Sequence, residues 1–154
     1  MKLAFTDETH HNAGIEWENR MLMEWIKGVF ESPMIKIERQ CSSNIRQHVE
    51  TIFINDGWAL NVDVAQHHRL KVFAQKDDVA FQLQTGNMSR APYDLLKLQY
   101  LFQKERIKVA AIGLPTLNAS KLIGDNIANA DRIVRELKLF NQVITVPILV
   151  LAFD

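Results

Sequence analysis

Two glutamines on a predicted strand are the residues best suited to chemistry. Across residues 79–84 the side chains alternate between the two faces of the strand, so Gln82 and Gln84 point to the same side. Each amide offers a neutral carbonyl oxygen, which can accept a hydrogen bond or serve as a weak metal ligand. Gly86 follows them and allows close backbone approach. The simpler alternative is that both amides face solvent on the surface of a sheet.

Two pairs of adjacent histidines are the other candidates for metal binding. His10 and His11 lie in a turn-rich segment with no cysteine or acidic partner at ligand spacing. His67 and His68 follow a predicted strand, and adjacent side chains in extended chain point to opposite faces, so they cannot hold one ion together. The single cysteine, Cys41, excludes an intramolecular disulfide and provides no zinc pattern. We therefore predict no metal site from these residues.

Composition and charge limit the classes of protein to which the chain can belong. The chain has 154 residues, of which 47% are hydrophobic and 23% are charged, as expected for a single domain over residues 1–154. Lysine plus arginine and aspartate plus glutamate both number 18, so no global field attracts nucleic acid, and a DNA-binding protein would need a local basic surface. No apolar run approaches about 18 residues and no signal peptide is present. We expect no membrane partner and a cytoplasmic location.

The hydrophobic pattern predicts alternating helices and strands. The predicted helices cover residues 15–30, 42–56, 89–104, 119–123 and 128–140. The predicted strands cover residues 2–6, 58–65, 69–75, 79–86, 107–114 and 146–153, with a hairpin turn at residues 76–78. This order predicts an α/β fold with a central mixed β-sheet, in which the hairpin is the antiparallel part. Ile15 is expected on the buried stripe of the first helix, whereas Lys97 and Lys104 are expected to face water.

The same central stretch resembles a known family. The run VAFQLQTGN followed by YDLLK is similar to the core of the BglII/BstYI-type restriction endonucleases, which belong to the PD-(D/E)xK nuclease superfamily. ETHHNAGIEWENRMLMEWI near the start, RIKVAAIGLPT and the closing VPILVLAFD are similar, more weakly, to its opening segment and later core strands. The resemblance implies a restriction-endonuclease-like sheet flanked by helices. It also implies a homodimer, because the family dimerises through helices.

The resemblance implies a degenerate magnesium site. In the family, an aspartate on the first hairpin strand, a glutamate nine positions later and a glutamine two beyond form that site, and a glycine follows two residues after the glutamine. Counting back from Gly86 puts the glutamine at Gln84, the glutamate position at Gln82 and the aspartate position at Phe73. Both carboxylates are therefore missing and no metal cofactor is expected. An acid from elsewhere would be needed to restore the site, and the candidates are Asp63, Glu16 and Glu18.

The function expected on these grounds is that of a nuclease-fold protein without its metal site, acting as a DNA-binding or assembly module. The expected DNA contacts lie on the hairpin and at the entry of the following helix, where a helix N-terminus favours a phosphate. They are His67, His68, Arg69, Lys71, Asn87 and Arg90.

Two alternatives remain open at this stage. One is an active Mg²⁺-dependent DNA endonuclease with a rearranged site, which uses Gln82, Gln84 and an acid such as Asp63. The other is a protein that works by interaction or scaffolding alone as a dimer. Its contact surface would be apolar residues of the first helix. These residues are Trp17, Met21, Met23 and Trp25.

Overall fold

The computed structural model describes residues 1–154 and contains six strands and six α-helices. The strands are β1 (Leu3–Asp7), β2 (Ala59–Ala65), β3 (Leu70–Lys76), β4 (Val79–Leu83), β5 (Val109–Pro115) and β6 (Ile148–Phe153). The helices are α1 (Ala13–Asn19), α2 (Met23–Val29), α3 (Ser42–Asn55), α4 (Ala91–Gln103), α5 (Leu117–Ile123) and α6 (Ala130–Leu139), with short 3-10 helices at His10–Asn12 and Met88–Arg90. None of the helices has the length and apolar character needed to cross a bilayer.

The strands form one mixed sheet in the order β1-β6-β5-β4-β3-β2. β4, β5 and β6 are parallel, whereas β1 pairs with β6, and β2 and β3 pair with their neighbours, in the antiparallel sense. Every residue of β4, β5 and β6 is buried, which explains why these strands are nearly continuous apolar runs. The predicted α/β fold with a central mixed sheet and an antiparallel hairpin is thus confirmed.

Helices cover both faces of the sheet. The two parallel connections, β4 to β5 and β5 to β6, step across the sheet in the same direction, and parallel crossovers are right-handed, so α4 and α6 pack on one face. The helices α1, α2 and α3 pack on the other face around an aromatic cluster. In that cluster Phe30 stacks on Phe153 with ring centroids 5.3 Å apart, and Phe53 lies 4.7 Å from Phe81. The α4 face of the sheet is therefore separated from the aromatic core.

The first predicted helix is two helices, and the prediction of one continuous helix over residues 15–30 was wrong. The chain breaks after α1, where Met21 adopts a left-handed φ of 57°. Arg20 holds this end of α1 by donating to Glu16 and, with two guanidinium nitrogens, to Asp78 in the β3–β4 turn. Those hydrogen bonds hold the pKa of Asp78 below its usual range. The buried residues of α1 are Ala13, Gly14 and Trp17, and Ile15 is 58% exposed instead of buried.

The apolar contact surface expected on the first helix is also largely internal. Trp17 is fully buried and its Nε1 donates to the carbonyl oxygen of Ala110 at 3.0 Å. Met23 is buried as well, and Trp25 stacks on Trp58 with ring centroids 5.4 Å apart. Of the four expected residues only Met21 is freely exposed, at 89%. Three of these four side chains therefore pack within the protein, and they do not form an exposed contact surface.

We predict that Gly113→Ala destabilises the protein, because its position in β5 has no room for a side chain. A Cβ there would lie 2.6 Å from Phe30 Cζ and 3.1 Å from Phe81 Cζ. Overpacking of this kind costs roughly 1–3 kcal/mol of unfolding free energy, measurable by urea denaturation. The matched control is Gly28→Ala in α2, where a Cβ would meet nothing within 4 Å. Equal effects of the two substitutions would contradict the packing argument.

Candidate functional site

The two glutamines lie at the carboxyl end of β4, beneath the first turns of α4. Gln82 and Gln84 are 8% and 6% exposed, and both side chains point toward α4. The prediction that they share one face is confirmed, and the alternative that they face solvent is wrong. The strand ends next to them, although the Gln84 N–H still bonds the carbonyl oxygen of Gly113 in β5 at 2.9 Å. Ligands of open parallel sheets bind in this region, outside the carboxyl ends of the strands.

A buried carboxylate joins the two amides. Asp94, in the first turn of α4, is 5% exposed. Gln82 Nε2 donates to its Oδ1 at 3.0 Å, and Gln84 Nε2 donates to its Oδ2 at 2.5 Å. Lys97 Nζ lies 2.7 Å from the same Oδ1. Every oxygen of Asp94 is thus satisfied, as a charged group needs when it is withdrawn from water.

Asp94 and Lys97 were missed as site residues from the sequence. They stand three positions apart in the YDLLK segment, a spacing that places two side chains on one helical face, and this was the available signal. The expectation that Lys97 faces water was wrong, since its side chain is 12% exposed. Lys104 does face water and lies over the ring of Tyr100. The two lysines differ in exposure because Lys97 lies on the same helical face as Asp94 and contacts its carboxylate, whereas Lys104 does not.

The orientation of both amides follows from their backbone partners. Gln82 Oε1 accepts the Phe73 N–H at 3.0 Å, and Gln84 Oε1 accepts the Gly86 N–H at 2.7 Å. Because a backbone N–H can only donate, the amide oxygens face the backbone and the NH₂ groups face Asp94. Gln82 thereby extends the hairpin, whose regular pairing of β3 with β4 begins only at Ala74.

The ring of Phe73, the residue that the resemblance puts at the aspartate position, points away from the two glutamines. Its ring belongs to the aromatic core and lies 5.9 Å from the ring of Phe53 and 5.7 Å from that of Phe81. The guanidinium of Arg46 in α3 lies 5.1 Å above the same ring. The position that would supply a carboxylate therefore carries a cation over an aromatic face instead.

These residues do not fit the magnesium ion that the resemblance implies for an active member. Mg²⁺ requires convergent oxygen ligands, usually with one or two carboxylates. Here the amide oxygens are bonded to backbone N–H groups, and one carboxylate converges, with an ammonium already against it. No group of three histidine, cysteine, aspartate or glutamate side chains is spaced to hold a metal ion. Lys97 therefore neutralises the Asp94 carboxylate within the cluster, and that carboxylate is not free to bind the ion.

The acids considered as replacements lie elsewhere. Asp63 in β2 is exposed and its nearest cation is Lys71 at 3.8 Å. Glu16 is bound to Arg20 at 2.6 Å, near the hairpin turn at the other end of β4. Glu18 is exposed and borders a separate depression beside Met21. None of them lines the cleft that contains the glutamines.

That cleft is basic. It has a volume of about 520 Å³ and is lined by three cations, Arg46, Arg90 and Lys97, against the single acid Asp94. Next to it lies a second cleft of about 180 Å³, which shares Arg46 and Gln82 with the first and adds Lys71. Arg46 is partly neutralised by Glu50, whose Oε1 lies 2.8 Å from its Nε. The two clefts together form a local positive surface on a chain of zero net charge.

The residues expected to contact DNA lie in three places. Arg90 and Lys71 are exposed and line the two clefts. Asn87 stands at the entry of α4, but its Oδ1 caps the chain by accepting the Ser89 N–H at 2.9 Å. The other three, His67, His68 and Arg69, are exposed in the loop between β2 and β3.

The first histidine pair serves as a connection between segments. His10 Nε2 donates to the carbonyl oxygen of Ile144 at 2.8 Å, and His11 Nε2 donates to that of Asn141 at 2.7 Å. Both bonds join the entry segment to the loop before β6. Burial lowers the pKa of His10, which therefore stays neutral at neutral pH.

Comparisons with known proteins agree with the fold. Residues 5–153 match the family described as restriction endonuclease BglII/BglIII. The crystal structure of restriction endonuclease BglII complexed with a DNA 16-mer is similar at a TM-score of 0.79 and 14% identity, over 100% of this chain and 78% of that chain. Free BglII is similar at a TM-score of 0.71 and 15% identity, over 100% and 80% of the two chains. No curated protein matches by sequence.

We predict that Asp94→Ala destabilises the protein by about 3 kcal/mol, because it leaves a buried ammonium and two buried amides without their acceptor. Unfolding in urea measures the change. Asp63→Ala is the matched control, since an exposed pair of this kind contributes about 0–1 kcal/mol. If Asp94→Ala lost no more stability than Asp63→Ala, the cluster would not be a structural element of the fold.

Proposed function

Because this chain belongs to the restriction endonuclease BglII/BglIII family, we propose that it binds DNA through the basic cleft at the end of β4 and does not hydrolyse it. The observation that carries the proposal is the state of Asp94. It is hydrogen-bonded by the amides of Gln82 and Gln84 and ion-paired with Lys97. A site that generates hydroxide from Mg²⁺-bound water needs anionic oxygens free to hold the ion. Here the one convergent carboxylate is already occupied by protein donors.

The charge of the cleft supports binding. Arg46, Arg90 and Lys97 line it with Asp94 as the one lining acid, although Glu50 pairs with Arg46. Lys71, which lies 3.8 Å from the exposed Asp63, adds a further cation in the second cleft. Arginine and lysine contacts to phosphate supply most of the sequence-independent affinity of DNA-binding proteins. BglII, which shares the fold, has been crystallised with a DNA 16-mer. The loop residues His67, His68 and Arg69 are proposed as additional contacts at the margin of this surface.

We predict that the protein shifts a fluorescent DNA duplex at low salt and that Arg90→Gln weakens this binding. Loss of one phosphate contact should reduce the slope of log affinity against log salt by about one. Arg135→Gln, which changes an exposed arginine of α6 outside the cleft, should leave both the affinity and the slope unchanged. Absence of binding to both duplex and single-stranded DNA at low salt would exclude the proposed function.

An active endonuclease with a rearranged site is the second candidate. Asp94 favours it, since this buried carboxylate lies within hydrogen-bond distance of both glutamines and is an acid that the family pattern does not supply. Catalysis would require Lys97 to leave the carboxylate and the amides to turn their oxygens toward it.

We predict that the protein does not nick supercoiled plasmid in Mg²⁺ or Mn²⁺, because backbone N–H groups hold the amide oxygens and Lys97 is held against Asp94. Agarose gels of plasmid incubated with protein and metal measure this directly. The control is Asp94→Asn, which keeps the shape of the side chain. If the original chain nicks plasmid and Asp94→Asn does not, the enzymatic function is correct and the proposal of binding without hydrolysis is wrong.

A homodimer formed through α4 is proposed as the assembly. Tyr93, Leu96 and Tyr100 are 53%, 52% and 39% exposed on the outer face of this helix. Together with His68 and Leu70 they line an apolar groove of about 300 Å³. Exposed apolar residues that recur at helical spacing are typical of an interface. Tyr93 and Lys97 line both this groove and the basic cleft, so the interface would adjoin the proposed DNA surface.

We predict that the protein elutes as a dimer in size-exclusion chromatography with light scattering and that Leu96→Glu converts it to a monomer. The introduced charge would be buried at the interface without a partner. Leu122→Glu on α5 is the control, because Leu122 is exposed to a similar degree, at 59%, and lies outside the groove. A strict monomer at all concentrations would exclude the dimer and, with it, the scaffolding alternative.

A further inference from the structure

Lys97 occupies an environment of oxygen atoms. Its Nζ lies 2.7 Å from Asp94 Oδ1 and 2.9 Å from the backbone carbonyl oxygen of Lys71 in β3. The first contact is to an acid of α4, the helix that carries Lys97. The second is to β3, the strand that pairs with β4. The side chain is 12% exposed, so this ammonium is held at the base of the cleft instead of moving in solvent. A carboxylate oxygen and a backbone carbonyl oxygen are groups that otherwise serve as ligands of hard cations.

The ammonium retains one donor for a ligand. A lysine ammonium has three N–H groups. Asp94 Oδ1 accepts one of them, and the backbone carbonyl oxygen of Lys71 accepts another. Lys97 lines the 520 Å³ cleft together with Ser89 and Arg90. A phosphate oxygen entering this cleft would therefore meet a third N–H of Lys97, with the guanidinium of Arg90 nearby in the same lining. Charge-assisted hydrogen bonds of this type are about twice as strong as neutral ones.

We propose that Lys97 is the permanent cation of this cleft, in the place where a nuclease of this fold would use a divalent ion, so that phosphodiesters bind without any metal. The proposal rests on the proposed DNA-binding function and specifies its chemistry. Lys97 supplies a charged N–H donor from within the chain and at the same time blocks the Asp94 carboxylate as a metal ligand. Gln82 and Gln84 hold that carboxylate in the position that Lys97 requires.

The first test measures DNA affinity by fluorescence anisotropy in EDTA and in Mg²⁺ at matched ionic strength. The two affinities are expected to agree within about twofold, because the ion contributes only screening. Lys97→Met, which keeps the aliphatic stem and removes the charge, should weaken binding in EDTA by roughly tenfold. Lys104→Met, an exposed lysine of the same helix, should not. Binding by the original chain that requires Mg²⁺ would overturn the proposal while leaving the DNA-binding function intact.

The second test needs no DNA and measures Mn²⁺ binding by electron paramagnetic resonance. The original chain is expected to bind no Mn²⁺ in the cleft. Lys97→Met should gain measurable Mn²⁺ binding, because removing an ammonium in contact with Asp94 exposes the carboxylate to the ion. The double variant Asp94→Asn with Lys97→Met should lose the gained site, because it removes the carboxylate together with the ammonium.

The outcomes of the second test are decisive by themselves. Mn²⁺ bound to the original chain and lost in Asp94→Asn would overturn the proposal, because the carboxylate would then be open to metal. Failure of Lys97→Met to gain Mn²⁺ would also overturn it, since Lys97 would not be what excludes the ion. If DNA fails to bind under any condition, the proposed function fails, and the Mn²⁺ measurements still decide whether Lys97 occupies the cation position.

Discussion

One constraint determines the arrangement at the carboxyl end of β4: each oxygen of the buried Asp94 carboxylate needs a hydrogen-bond or ionic partner. Asp94 accepts hydrogen bonds from two amides of β4 and contacts an ammonium of its own helix. Through Gln82 the same cluster reaches the backbone of β3, and through Gln84 it reaches the turn at Gly86 that leads into α4. One charged group thereby connects two strands, one turn and one helix. A buried ion pair is often no more stabilising than apolar side chains of similar volume, so the value of this cluster lies in the geometry that it imposes.

The topology explains why the cluster lies in an open cleft. β4 is one of two strands, with β6, that pair antiparallel on one side and parallel on the other, and its regular pairing with β3 does not extend beyond Ala74 and Phe81. The amide of Gln82 fills the acceptor position that the shortened ladder leaves at Phe73. Helix α4 then crosses above the carboxyl end of β4. The resulting cleft is open to solvent, whereas the residues at its base are buried.

The cleft also shows how a chain without net charge can present a charged surface. Asp78 is paired with Arg20 at the other end of β4, whereas the cleft is lined by three cations against one acid. Phe73 contributes by holding the guanidinium of Arg46 above its ring. BglII has a similar fold at 14% identity, so this fold does not require most of the individual residues to be the same.

The sequence by itself determined the framework and part of the site. Strict alternation over residues 79–84 placed Gln82 and Gln84 on one face, and continuous apolar runs predicted the buried parallel strands, because these signals depend on local periodicity alone. Only the tertiary structure decided that Asp94, and not Asp63, meets the two amides, since that depends on where α4 crosses the sheet. It also decided that Lys97 is buried while Lys104 is exposed, and that the first helix breaks at Met21, where contacts with the distant hairpin turn hold Arg20. Such pairings join residues far apart in the chain or on different faces, and local periodicity carries no information about them.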